Sequence, residues 1–247
     1  MESSVTMGLT HSPRIVTDGL VLCLDAGNTK SYPGSGTTWN DLSGNLTSFN
    51  NGNYTFPSYS SGYFTFVNNG VTINHVKVVS NILNTSTNTT YTRIGWFYQT
   101  SQSTDWGSII QNQIGNNSDM GLVTKSNKLT FYQYTNSATN GTTSQDYYVQ
   151  STGTFNDNAW VMGAITVNRT SQLVKFYING NYDSQSAINV IGNSFSDNII
   201  IGGTDNDAYS GNRMFKGRIS SVSHYNRILS DAEIQQNFNA LRGRFGI

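Results

Sequence analysis

Two carboxylic acids held at a fixed separation, one protonated and one ionised, are the chemistry to test first on a chain rich in strand-like segments, because such a pair cleaves glycosides. Glutamate is scarce here: Glu2 and Glu233 are the only two, one at each end of the chain. The twelve aspartates fall largely at turn-like positions, as in Asp18-Gly19, Asp41-Leu42-Ser43-Gly44 and Asp205-Asn206-Asp207, where the side chain bonds its own backbone. No strand-like segment carries two of them on one face. His11, His75 and His224 are far apart, and none has a partner at metal-ligand spacing. The runs around His75 and His224 predict hydrogen-bonded sheet residues. Cys23, the single cysteine, sits in Leu20-Val21-Leu22-Cys23-Leu24 and reads as a small core residue without the electropositive neighbours of a thiolate. There is no Gly-x-Ser-x-Gly elbow and no phosphate-cradling glycine loop. The sequence predicts a protein that is not an enzyme.

Binding chemistry is better represented. Fourteen Tyr and four Trp stand in the chain, and such side chains stack on sugars through an apolar face while keeping a polar edge. Those at turn-like positions, Tyr32, Trp39, Tyr59, Trp106 and Tyr209, are the candidate glycan-binding residues. For any one of them, pinning its own loop to the sandwich is the plainer reading. Trp96 and Trp160 lie inside strand-like runs and are expected in the core. Asp105 and Asp119, flanking Ile109-Ile110, are candidate Ca²⁺ ligands, although Ca²⁺ takes six to eight oxygens and two aspartates supply few of them. No cofactor is otherwise required.

The elements that must position these residues are mostly strands. Apolar residues recur with period two and are interrupted every eight to twelve residues by Gly, Asn, Asp and Ser, the pattern of an all-β sandwich. Gly62–Val67, Arg93–Tyr98, Lys128–Tyr134, Trp160–Val167, Leu173–Ile178 and Asn198–Gly203 read as strands. Trp160–Val167 is apolar on both faces and belongs at the centre of a sheet. Asn179-Gly180, between two strand-like runs, predicts a tight hairpin, because both central residues of a type I′ turn need positive φ. One helix is expected: Ser230-Asp231-Ala232-Glu233 is a capping box, Ile234, Phe238 and Leu241 form an apolar stripe, and Gly243 is expected to end it. The predicted organisation is an N-terminal arm over residues 1–17, one domain over 18–241 and a basic, apolar tail over 242–247.

Charge narrows the partners. Fourteen basic and fourteen acidic residues cancel, and only 11% of the chain is charged. A nucleic-acid binder needs an excess of Lys and Arg to displace phosphate counterions, so that class is excluded, as is a polybasic membrane-surface protein. No apolar run approaches the ~18–20 residues that cross a bilayer. Met1–Gly8 lacks a basic region followed by an apolar one, so a secretory signal is not expected. Asn, Ser, Thr and Gly fill nearly half of the chain. The resulting polar, uncharged surface suits a protein mounted on a larger body or one that meets neutral sugars; a compositional habit of the source would give the same surface.

The C-terminal third carries a recognisable series: Trp160-Val161-Met162, Phe176–Gly180, Ile199–Gly203, Phe215–Val222 and Tyr225-Asn226-Arg227-Ile228-Leu229-Ser230. It resembles the concanavalin A-like lectin/glucanase superfamily in its laminin G-like branch, over roughly residues 18–241. The resemblance implies an antiparallel two-sheet jelly-roll sandwich with ligand loops at the rim, and loosely places Asp119 at a calcium-ligand position. The glucanase motif Glu-x-Asp-x-x-Glu is missing, so that activity does not transfer, and Gly217-Arg218-Ile219-Ser220 has Ser where the family usually carries Asp. The opening Arg14–Gly44 and the closing Arg242–Ile247 are similar to jelly-roll proteins of tailed bacteriophages, marine and cyanobacterial ones especially. This implies a virion structural protein, most directly a capsid decoration protein displayed on the particle exterior, with phage capsid or tail proteins as partners, host-surface polysaccharide as a further ligand and a homotrimer as an expected assembly. Ile15, Val16, Phe245 and Ile247 would make the attachment. A tail-fibre or free glycan-binding lectin is the alternative, and a polysaccharide-degrading enzyme stands behind both.

Overall fold

A strand that alternates apolar and polar residues buries one face only, so two such sheets must share a core. The structure, a computed structural model, describes residues 13–44, 47–49, 55–67, 74–79, 89–101, 106–112, 118–135, 145–188, 198–203 and 214–247. In chain order its elements are β1 (Leu20–Asp25), β2 (Thr47–Phe49), β3 (Ser58–Ser60), β4 (Tyr63–Phe66), β5 (Val76–Val79), β6 (Thr90–Gln99), β7 (Gly107–Asn112), β8 (Ser118–Lys125), β9 (Lys128–Thr135), β10 (Gln145–Gln150), β11 (Trp160–Asn168), β12 (Leu173–Ile178), β13 (Asn181–Ala187), β14 (Ile199–Ile201), β15 (Gly217–Tyr225) and helix α1 (Asp231–Phe245).

The strands form two antiparallel sheets. The first has the order β13-β12-β11-β6-β15-β4-β3, with β4 along the first part of β15 and β1 along the rest. The second has the order β10-β9-β8-β7-β14-β5-β2. Together with the short C-terminal helix this is the expected jelly-roll sandwich. β11 lies between β6 and β12, inside its sheet as its apolar run predicted. Between the sheets, Leu22, Phe64, Phe97, Ile165, Phe176 and Ile219 meet Val76, Ile110, Leu122, Leu129, Phe131 and Ile201.

Two glycines set how closely the sheets approach. Gly95 and Gly163 are register partners at the centre of the first sheet. A Cβ on Gly163 would lie 2.7 Å from Leu129 Cδ2 and 2.9 Å from Phe97 Cε1, and one on Gly95 would lie 2.5 Å from Ile109 Cγ2. Leu129 and Ile109 nest where those side chains would stand. Nearby, the Arg93 guanidinium is fully buried; its Nε donates to His224 Nδ1 at 3.2 Å and its Nη2 donates to Asn112 Oδ1.

The hairpin between β12 and β13 turns at Asn179 and Gly180, with φ of 49° and 79°, as the dipeptide predicted. In α1 the capping box forms: Glu233 N–H donates to Ser230 Oγ at 3.3 Å, and Ser230 N–H to Glu233 Oε2 at 2.8 Å. The helix does not stop at Gly243. It runs to Phe245 and closes at Gly246, whose φ of 71° is left-handed, so residues 242–245 are its last turn and not a tail. Nothing at Gly243 demands positive φ, and a glycine costs too little to end a helix by itself.

The helix covers half of the first sheet's outer face. Ile234, Phe238 and Leu241 pack over Ile94, Trp96, Met162, Ala164 and Tyr225. The described part of the arm joins them. Val16 N–H donates to Asn237 Oδ1 at 2.8 Å, Tyr225 Oη donates to the Val16 carbonyl at 2.9 Å, and Gln236 Nε2 donates to the Arg14 carbonyl at 2.7 Å.

Candidate functional site

Where the helix ends, the outer face of the first sheet is left open. Outward residues of four neighbouring strands stand in register there: Thr65 on β4 opposite Arg218 on β15, Arg218 opposite Tyr98 on β6, and Tyr98 opposite Trp160 on β11. Strand spacing gives this row a span of about 14 Å. Each member has at least one inward core neighbour along its strand, Phe64 and Phe66, Ile219, Phe97 or Val161, so period two brings the row to the surface.

The row is an aromatic cluster around one cation. The Arg218 guanidinium lies 4.7 Å from the Tyr98 ring centre and 4.9 Å from that of Tyr63, distances at which the cation is attracted to both ring faces. Trp160 lies 5.8 Å from each of these tyrosines and 4.7 Å from Phe245, which also stacks on Trp96 at 4.3 Å. Trp160 is thus half-buried at the surface and not the core residue its strand position suggested.

Two hollows meet at Tyr63. The larger, about 390 Å³, is lined by Tyr63, Thr65, Val67, Thr100, Lys216 and Arg218. The smaller, about 190 Å³, is lined by Ser61, Tyr63, Trp160, Ser220, Arg244 and Phe245. Among the described residues no carboxylate lines either. Arg244 is bound to Asp25, at 2.5 and 3.0 Å. Among the described residues the Arg218 guanidinium hydrogen-bonds to no group and pairs with no carboxylate. A third hollow, of about 470 Å³, runs along the last turns of α1; it draws on that helix alone and offers no aromatic face.

The turn aromatics singled out from the sequence scatter. Trp39 is 0% exposed with its ring 4.7 Å from Phe64, so it is a core residue with no face for a sugar. Tyr32, 4% exposed, lies among Tyr59 and Phe64 at 4.8 and 4.7 Å, and its hydroxyl donates to the Gly36 carbonyl at 2.8 Å. Burial raises its pKa, with Tyr59 adding to the effect. Tyr59 faces inward and packs against the same core. The reason is local: Asn40 N–H donates to the Ser31 carbonyl at 2.7 Å and Ser31 Oγ to the Asn40 carbonyl at 2.6 Å, folding the Gly-rich turn back so that its aromatics plug the sandwich end. Trp106 is on the second sheet's outer face, 4.7 Å from Tyr132 and 4.9 Å from Tyr148, with Lys125 Nζ 4.0 Å from its ring centre. Tyr209, Asp105 and His11 lie outside the described residues, as does the Asp119 side chain. Among the described residues no group of three or more His, Cys, Asp or Glu could hold a metal ion.

The proposed attachment residues are largely occupied. Val16 is buried under α1, Ile15 is half-buried, and Phe245 is half-buried, stacked on Trp96 and packed against Trp160; of the four Ile247, 40% exposed, is the most open to solvent. Hydrogen bonds from Arg227, at 2.5 and 3.1 Å, and from the Ser230 backbone lower the Glu233 pKa to about 2, so it is ionised near neutrality. Burial pushes the Cys23 thiol up to about 12. Burial, with the Arg93 charge, holds His224 well below the usual imidazole range.

Two stacked antiparallel sheets with one short C-terminal helix define a jelly-roll sandwich. The model of the concanavalin A-like lectin/glucanases superfamily matches residues 67–235, and the chain belongs to that superfamily. No curated protein sequence matches the chain. Among solved structures, one of botulinum neurotoxin type C, a toxin that depends on two ganglioside molecules to get into cells, superposes with a TM-score of 0.66 at 17% identity, over 92% of this chain and 52% of that one. The binding domain of botulinum neurotoxin DC in complex with SialylT gives 0.64 at 20% identity, over 91% and 52%. The same domain in complex with rat synaptotagmin II gives 0.64 at 20%, over 92% and 52%. The chain spans about half the length of these structures, and at such identities the likeness is one of fold.

Proposed function

We propose that the chain is a non-enzymatic glycan-binding module whose platform is the open row Thr65–Arg218–Tyr98–Trp160 together with Tyr63. The observation that carries this is the row itself: aromatic and hydrogen-bonding side chains in register on four paired strands, beside a hollow, where the helix gives no cover. Sites on paired strands hold their geometry better than sites on loops. Superfamily membership and the ganglioside and SialylT ligands of the botulinum structures support the reading in kind. A glycan array followed by titration calorimetry tests it. Tyr63→Ala and Tyr98→Ala should each weaken glycan binding about tenfold or more, the loss expected for a stacked or hydrogen-bonded ring. Their melting temperatures should stay near wild type, and Trp106→Ala should bind normally. Loss of binding in Trp106→Ala alone would move the site to the other sheet.

The finer reading places this module on a tailed-phage particle, decorating the capsid. It is supported by the similarity of Arg14–Gly44 and Arg242–Ile247 to such proteins and by the low-charge surface. Because Val16 and Phe245 serve the chain's own fold, attachment falls to Ile247 and to residues 2–12, outside the described residues. Sedimenting particles that lack the protein after mixing them with it gives the copy number. Hundreds of copies support decoration, about a dozen favour the tail, and none removes the virion reading. Sedimentation of the free protein with and without Ca²⁺ tests the trimer and the Asp119 ion together.

A further inference from the structure

Resting on the glycan-binding reading, we infer that the platform selects sugars bearing a carboxylate, with Arg218 as the residue that reads the acid. The charge on Arg218 is uncompensated among the described residues. Arg218 is half-buried on an interior strand, flanked by the Tyr63 and Tyr98 rings, and its guanidinium has no hydrogen-bond or carboxylate partner among the described residues. A guanidinium carries five N–H donors in a planar fork that matches a carboxylate with two parallel bonds. The flanking rings restrict the side chain before any ligand arrives, so less freedom is lost when those bonds form.

The lining does not oppose that sign. Among the described residues no Asp or Glu lines the hollow that holds Arg218, and Arg244, in the adjoining one, is already paired with Asp25. In a protein of zero formal net charge an Arg218 guanidinium beside a hollow with no described carboxylate favours an anion. Thr65, the register partner of Arg218, presents a hydroxyl to the same hollow, and Val67 beside it is 45% exposed. Together they offer a sugar ring one polar and one apolar contact next to the acid.

A sugar acid fits better than an acidic peptide. Peptides that dock on sheets do so by adding a strand to a free edge, using unpaired backbone groups. At this row β15 is paired with β4 on one side and β6 on the other, so only side chains can make contact. A rigid row of rings and hydroxyls is the surface of a sugar subsite. Two kinds of glycan supply the carboxylate, sialylated chains and uronic-acid polymers, and the test separates them.

Calorimetry at low and physiological salt would use the intact chain with four probes: 3′-sialyllactose, lactose, oligogalacturonate and fully methyl-esterified oligogalacturonate, with oligoglutamate as the peptide control. Wild type should bind at least one acid probe about tenfold or more tightly than its neutral counterpart, the difference expected of a hydrogen bond to a charged group. The preferred acid identifies the source. Arg218→Gln should remove that preference, and Arg218→Lys should recover only part of it because it lacks the fork. Should Arg218→Gln fail to fold, the esterified probe carries the test on wild type alone. Equal affinity for acid and neutral probes overturns the inference and leaves the glycan reading standing. Binding of oligoglutamate alone, or of no probe, overturns both.

Discussion

Trp39 provides the sharpest test of how the aromatics divide between fold and site. Its indole is fully enclosed and packed on Phe64, so truncation to alanine removes about 200 Å² of buried ring, about 5 kcal/mol as an upper bound. One term acts in the other direction. The indole Nε1 has no acceptor among the described residues, and deleting a buried unpaired donor recovers about 1–3 kcal/mol. The expected cost of Trp39→Ala is therefore about 3 kcal/mol, the lower end of the usual range for such truncations. With a urea m-value of about 3 kcal/mol/M for a chain of this size, the unfolding midpoint should fall by about 1 M. Trp39→Phe keeps most of the ring, loses the unpaired N–H and should stay close to wild type. Neither change should alter glycan affinity per folded molecule. A Trp39→Ala protein with an unchanged midpoint and abolished glycan binding would refute both the core assignment and the choice of platform.

Gly163→Ala should destabilise by about 1–3 kcal/mol in urea unfolding, because its Cβ would crowd Leu129 and Phe97 where the sheets nest. Gly243→Ala, with open space around its Cβ and a helical backbone, should instead stabilise by about 0.5–1 kcal/mol. The Glu233 pKa is lowered in the folded state to about 2 from 4.5. Its ion pair and cap thus contribute fully above the unfolded value and are lost as pH falls toward 2; Glu233→Gln should flatten that part of a stability–pH curve. His224 is also lowered on folding, by burial first. The unfolded chain takes up that proton below about pH 6.5 while the folded one does not, so stability should decline from there downward. An imidazole NMR resonance for His224 that titrated with an ordinary midpoint would contradict this.

Local rules carried much of the fold. Strand periodicity, the Asn179-Gly180 turn and the Ser230–Glu233 box each act over a few residues, and each appears where its residues stand. The helix end was misplaced because Gly243 looks like a terminator in sequence, while the left-handed cap is formed three residues later by Gly246. The site was much harder to read. Thr65, Tyr98, Trp160 and Arg218 meet only through the register of four strands, which no spacing along the chain reveals. The alternation in Arg93–Tyr98 did offer a clue, since Phe97 faces the core and both neighbours must face out. Trp39 and Tyr32 were misread for the converse reason: a turn composition suggests exposure, but the Ser31–Asn40 hydrogen bonds fold that turn inward.

Alternation also separates two kinds of selection on this molecule. At each position of the open row at least one neighbour along the strand belongs to the core, while the row side chain itself points away from the opposite sheet. If the row binds glycans as proposed, substitutions there would alter what is recognised while sparing the inter-sheet core. A lineage facing a changing coat of sugars could therefore revise four scattered codons one at a time, each intermediate remaining a stable sandwich. The scaffold would persist long after its specificities had diverged.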